Sequence, residues 1–326
     1  MAWRRAKHAR GTPPLRLYYA SDIHGSESLW RKFLAAARVY EAPVIVMGGD
    51  VAGKAVVPLV RGRGGYEMEL FGRRELLADE DQVKDAERRI GANGMYPYRT
   101  NAEELARVAA MPEEERELWF AEVMLQTFAR WMDLADERLR DSEVRCFLMP
   151  GNDDPPGVQE TIEAAARVEA CEERIVTFAG HEMISLGYSN RTPFRSPREL
   201  DEDELYRRVD ALASQLHEPS RAIFNLHVPP YDSTLDTAAE LDEDLGVVML
   251  GSEPKAIPVG STAVRELIER YQPLLGLHGH VHESAGATRI GRTLCVNPGS
   301  DYHTGRIAGC LLTFVDDRVR HQFVTG

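Results

Sequence analysis

The chain is predicted to belong to the α/β class, in its mixed α+β form. Three observations carry that prediction. Residues 15–50 read as a β-α-β unit. Five separate apolar runs each end in residues of metal-ligand type. After His282 the pattern changes to short β segments broken by glycine turns, as in antiparallel strands.

The elements follow in order. Leu15 to Ala20 reads as a buried strand that ends in Ser21-Asp22-Ile23-His24-Gly25. Leu29, Phe33, Leu34 and Ala37 then share one face of a helix. A second apolar run, Val44 to Met47, ends in Gly48-Gly49-Asp50. Cys146 to Met149 ends in Pro150-Gly151-Asn152-Asp153-Asp154. Ala222 to Leu226 ends in His227, and Pro273 to Leu277 ends in His278-Gly279-His280-Val281-His282. Polar residues just past the carboxyl ends of such strands are the usual functional positions. The closing segments, Ala287 to Ile290, Thr293 to Val296, Ile307 to Phe314 and Val319 to Val324, read as strands.

The stretch between Asp50 and Asn152 is far longer than a crossover needs, so an insertion is expected at residues 55–141, with 1–54 and 142–326 forming the main domain. Lys54 to Leu70, around Arg61-Gly62-Arg63-Gly64-Gly65, reads as a hairpin and the rest as helical. The Arg-Gly tip lacks the Lys-Ser/Thr of a phosphate-binding loop. Leu118, Ala121, Leu125, Phe128, Met132, Ala135 and Leu139 form one apolar helical seam. It either packs on its own domain or serves as a lid or homo-oligomer seam. Tyr96-Pro97-Tyr98 is read as packing, with a roof over the site as the alternative.

Composition narrows the partners. Of 326 residues, 43% are hydrophobic and 28% charged, with a formal net charge of −13. So acidic a surface repels long polyanions, and stable nucleic-acid binding is not expected. A small phosphate ester remains compatible, because bound cations reverse the local field. Cys146, Cys171, Cys295 and Cys310 contain no C-x-x-C pair and read as reduced, mostly buried thiols of a cytoplasmic protein. No apolar run is long enough for a membrane span. The basic start, MAWRRAKHARGTPP, lacks the apolar core of a secretory signal and reads as a loose tail.

Asp22, His24, Asp50, Asn152, His227, His280 and His282 together offer carboxylate, amide and imidazole donors. That set suits Mn, Fe, Zn or Co better than Ca or Mg. Singly, Asp22 and Asp50 would pass for helix caps. As an ordered set they point to metal, and a carboxylate between two ions bridges them at about 3.5–4 Å.

The order D-x-H, G-D, G-N, H, G-H-x-H resembles the signature of the calcineurin-like metallophosphoesterase superfamily, from Asp22 to His282. The G-N-D-D form, with His227-Val228-Pro229-Pro230 and Asn297-Pro298-Gly299-Ser300, is similar to a subgroup of uncharacterised prokaryotic phosphoesterases. The resemblance implies a two-sheet β-sandwich flanked by helices and two metal ions, Mn or Fe, with Zn as the other candidate. It implies Asp22, His24 and His282 on the first ion, Asn152, His227 and His280 on the second, and Asp50 between them. It also implies hydrolysis of a small phosphomonoester or phosphodiester by a metal-bridging hydroxide, with Asp50, Asn152 and His227 in the catalytic set, which Asp153 joins by its position next to Asn152.

One departure stands out. The family has histidine where this chain has Asp153, and an anionic carboxylate there would repel phosphate unless protonated, hydrogen-bonded or turned away. His303 is one alternative proton donor, although a structural role is the better reading of it. Arg191, beside Asn190, reads as a solvated loop arginine, with substrate contact as the alternative. His278 reads as buried and structural, and His8, His181, His217 and His321 have no motif. Two rival functions stay open: a catalytically weak metal-binding scaffold for a protein partner, and a nucleotide pyrophosphohydrolase.

Overall fold

The computed structural model describes residues 14–315 and 318–326. The expected N-terminal tail, with His8, lies outside the described residues.

Two six-stranded sheets form the body. In the first, Arg16–Ala20, Val44–Met47, Arg145–Leu148 and Val168–Ala170 run parallel, and Ala308–Val315 and Arg318–Thr325 close one edge antiparallel. In the second, His181–Leu186, Ile223–Leu226, Leu275–Leu277 and Thr293–Asn297 run parallel between the antiparallel edges Ile175–Phe178 and Gly286–Ile290.

Alternation along the strands divides the apolar side chains between layers. Leu17, Tyr19, Val44, Val46 and Phe147 face Ile223, Leu275, Leu277 and Val296 across the space between the sheets. Their neighbours Tyr18, Ile45, Met47 and Leu148 point outward onto helices α1 (Glu27–Val39) and α4 (Glu113–Leu139), against Trp30, Phe33, Phe128 and Trp131. On the far side Ile184, Phe224 and Leu226 meet α6 (Glu202–Ala213) and α7 (Thr262–Tyr271). Strands buried on both faces read as continuous apolar runs, which is how they were visible in the sequence. The result is the two-sheet sandwich flanked by helices that the resemblance implies.

The insertion carries more β structure than a hairpin followed by helices. The hairpin, Ala55–Gly62 with Gly65–Leu70, joins Arg73–Leu77 on one side and Met95–Asn101 on the other. Helix α2 (Glu80–Ala92) packs Val83, Ala86 and Ile90 onto Val57, Leu59, Met68 and Leu77 as a separate small core. Met95–Asn101 contains Pro97, which lacks a ladder donor. It is tolerated because this strand pairs with one neighbour only.

The apolar seam of α4 divides. Phe128, Met132, Ala135 and Leu139 are buried in the outer core, where Trp30 Nε1 donates to the Trp131 carbonyl at 3.0 Å. Leu118 is 73% exposed. At about 1.5 Å per residue a helix of 27 residues outruns the four-residue strands it covers, so its first turns pass beyond the sheet. There Val123 and Met124 cover Ala52 and Tyr96, and Trp119 meets Tyr98 edge-on at 5.0 Å.

Candidate metal centre

All the parallel strands that carry the motifs deliver their loops to one end of the sandwich. Main-chain bonds knit these loops together past the last strand residues: Asp22 N–H donates to Gly49 O and His24 N–H to Asp50 O, both at 3.0 Å. Asp22, His24, Asp50 and His280 all have positive φ, at 58°, 39°, 50° and 65°. For residues with a Cβ this costs of order 1–3 kcal/mol each, and such strain clusters where side chains must be aimed at a common point.

These side chains converge. One ligand atom each from Asp22, His24 and His282 lie within 4.8 Å of one another, and so do those of Asp50, His227 and His280. His24 Nε2 faces His282 Nε2 at 2.9 Å, and His282 Nε2 lies 3.4 Å from Asp22 Oδ1. His227 Nε2 is 3.4 Å from Asp50 Oδ2 and 3.9 Å from Asp22 Oδ1, so it borders both carboxylates. Asn152 Oδ1 sits 2.7 Å from His280 Nδ1. All seven residues of the ordered set therefore share one cleft.

The chemistry of the donor set fits bound metal. His227 Nδ1 lies 2.8 Å from Gly48 O, which fixes the tautomer with N–H on Nδ1 and turns the lone pair of Nε2 towards Asp22 and Asp50. That Nε2 is fully buried and makes no hydrogen bond. Imidazole nitrogens facing each other among buried carboxylates are satisfied by a cation between them. Burial pushes His280 down to about 4, so it stays neutral, the form that binds metal.

Supporting residues hold the loops. Asp154 is fully buried, and its carboxylate accepts from Val51 N–H at 3.1 Å and from Ala52 and Gly151 N–H at 2.7 Å each. It ties the Gly-Asp loop to the Gly-Asn loop. Asn297 donates to Val281 O at 2.9 Å and Gly279 O at 3.3 Å, so the Asn-Pro-Gly-Ser motif braces the last histidine loop. His278 is buried with Nδ1 2.8 Å from Leu226 O, a structural placement. Gly151 has a steric reason. A Cβ there would meet Asp50 Oδ1 at 2.1 Å and Asp50 N at 2.3 Å. Gly151→Ala is expected to displace Asp50 and weaken metal binding by about 10–100-fold, as losses around metal ligands do. Titration with Mn or Zn would read this, and unchanged affinity would refute it.

Asp153 does not stand as an open anion. One carboxylate oxygen binds the Lys54 ammonium; the other accepts from Ser196 Oγ and, at 3.1 Å, from Asn152 Nδ2. Its own N–H donates to Asp50 Oδ1 at 2.9 Å. Lys54 and Ser196 had no motif to mark them, because they come from the entrance of the insertion and from the loop before Glu199. Tyr302 was missed as well: its ring packs 4.8 Å from that of His24 and 5.9 Å from that of His282. The neighbouring His303 is exposed. Arg191 is paired with Asp201 at 2.9 Å and is 65% exposed, in the solvated-loop role. Tyr96 is packing: buried, its hydroxyl accepts from Gly53 N–H at 2.6 Å.

No family model matches the chain. It is 30% identical over 159 residues to an uncharacterised protein of Methanocaldococcus jannaschii, a match covering 48% of this chain and 63% of that protein. The chain thus spans less than two thirds of that relative's length. Among solved structures it is similar to TT1561 of Thermus thermophilus, with a TM-score of 0.50 and 15% identity over 95% of this chain and 98% of that one. A second solved structure gives a TM-score of 0.53 at 16% identity, again over 95% and 98% of the two chains. At such identities the likeness is one of fold. No helix among the described residues is long and apolar enough to cross a membrane.

Proposed function

We propose that the chain is a calcineurin-like metallophosphoesterase of the G-N-D-D type, hydrolysing a small phosphomonoester or phosphodiester. The observation that carries this reading is the convergence of seven N and O donors from five strand ends, with His227 Nε2 buried and without a hydrogen bond between two carboxylates.

Asp22, His24 and His282 would hold one ion; Asn152, His227 and His280 the other; and Asp50 would contact both. The imidazole-rich set suits Mn or Fe, with Zn as the other candidate. When bound, such a pair supplies a water of lowered pKa and neutralises phosphoryl oxygens. The chain's own residues do the positioning. Gly48 O fixes the His227 tautomer, and Asp22 accepts from His280 N–H at 3.1 Å, locking the last loop onto the first. Asp153, its charge shared among Lys54, Ser196 and Asn152, would sit beside the substrate without repelling it as a free carboxylate.

The test is metal content of protein purified without added metal, together with hydrolysis of an aryl phosphomonoester and an aryl phosphodiester across added Mn. About two metals per chain and Mn-stimulated turnover of one ester are expected. No tightly held metal and no stimulated turnover would overturn the assignment and leave the scaffold reading.

A further inference from the structure

Lys54 lies where the loop after Asp50 enters the insertion. Its ammonium is bound by Asp153, while its side chain remains 61% exposed. A carboxylate oxygen of Asp153 lies within 4.8 Å of ligand atoms of both Asp50 and His24. The Lys54 cation therefore stands one contact away from the candidate metal ligands and is open to solvent. An ammonium has three N–H donors. Asp153 engages Lys54 on one side and is itself occupied by Ser196 and Asn152, so Lys54 keeps donors for an incoming anion.

The chemistry of the two ester classes differs at this point. Two bound ions would neutralise two non-bridging oxygens. A phosphomonoester keeps a third, charged oxygen, whereas in a phosphodiester that position carries a second ester group. We propose that Lys54, positioned by Asp153, binds this third oxygen and makes the site selective for phosphomonoesters. The inference rests on the two-metal reading above. Sequence patterning does not reveal it, because the pair joins residues from two loops far apart in the chain and Asp153 alone looks repulsive to phosphate.

The experiment measures binding as well as turnover. Inorganic phosphate and dimethyl phosphate are titrated calorimetrically into metal-loaded protein at pH 8, for the natural chain, Lys54→Met and Lys54→Arg, with metal content assayed in each. Lys54→Met is expected to weaken inorganic phosphate by about tenfold or more, the usual scale for a lost hydrogen bond to a charged group. Dimethyl phosphate should change by less than about twofold on the same scale, the metal content should stay constant, and Lys54→Arg should recover most of the phosphate affinity. Equal weakening of both anions, or of neither, overturns the proposal while leaving the phosphoesterase reading intact. Loss of metal in Lys54→Met also overturns it, because Lys54 would then support the ligands and not the substrate. A natural chain that binds no metal overturns both readings.

Discussion

Asp50→Asn is expected to lower kcat/KM for an aryl phosphate ester by about 10³-fold or more and to reduce bound metal from two ions to one or none. Loss of a residue that merely supports a metal ligand costs about 10–100-fold. Asp50 is placed at the centre, with Oδ2 3.4 Å from His227 and 3.9 Å from His24. An amide removes the negative charge that two cations would share. It also cannot keep both contacts of the carboxylate. If the amide oxygen accepts from Asp153 N–H, as Oδ1 does now at 2.9 Å, the amide nitrogen turns its hydrogens towards the imidazoles. Metal analysis and steady-state kinetics on the same preparation check this. A variant that retains two ions and full turnover would remove Asp50 from the centre and sink the proposed ligand set.

The second large effect is on stability. Asp154→Ala is expected to cost about 2–4 kcal/mol, measured by urea unfolding in the presence of a chelator so that metal loss does not contribute. The substitution strands three buried N–H groups, those of Val51, Ala52 and Gly151. Each orphaned donor costs about 1–3 kcal/mol. The sum is discounted because the carboxylate is itself uncomfortable there: burial, and then the charge of Asp50, push its pKa up to about 7 against the pull of the three donors. Since a domain is stable by only about 5–15 kcal/mol, the variant would lose a large share of its margin. A loss under about 0.5 kcal/mol, the scale of an ordinary surface substitution, would show that the two loops hold together without this tie.

Much of the architecture was legible in the sequence because the central strands are buried on both faces. Runs such as Val44–Met47 and Ile223–Leu226 can then be apolar throughout and stand out from their surroundings. The seven donor residues were legible for a related reason, since each follows such a run directly. The central strand His181–Leu186, its apolar run broken by His181, Glu182 and Ser185, was not, nor were the edge strands Val168–Ala170 and Ile175–Phe178 and the insertion's Met95–Asn101. The last three are short or half-exposed, and one contains proline, so neither length nor alternation distinguishes them from loop.

Donor types, their order and their place at strand ends are readable from the amino-acid order alone, because hydrophobic periodicity is local and ligand chemistry belongs to the side chain. That order also poses the problem of Asp153, a carboxylate where phosphate is expected to bind. The folded chain supplies the answer: this carboxylate is occupied by Lys54, Ser196 and Asn152, Tyr302 lies against His24 and His282, and α4 buries its second half while Leu118 faces solvent. Those outcomes depend on which loops meet at one end of the sandwich and on how far a helix outreaches the sheet beneath it. Both are matters of long-range packing that no local pattern encodes.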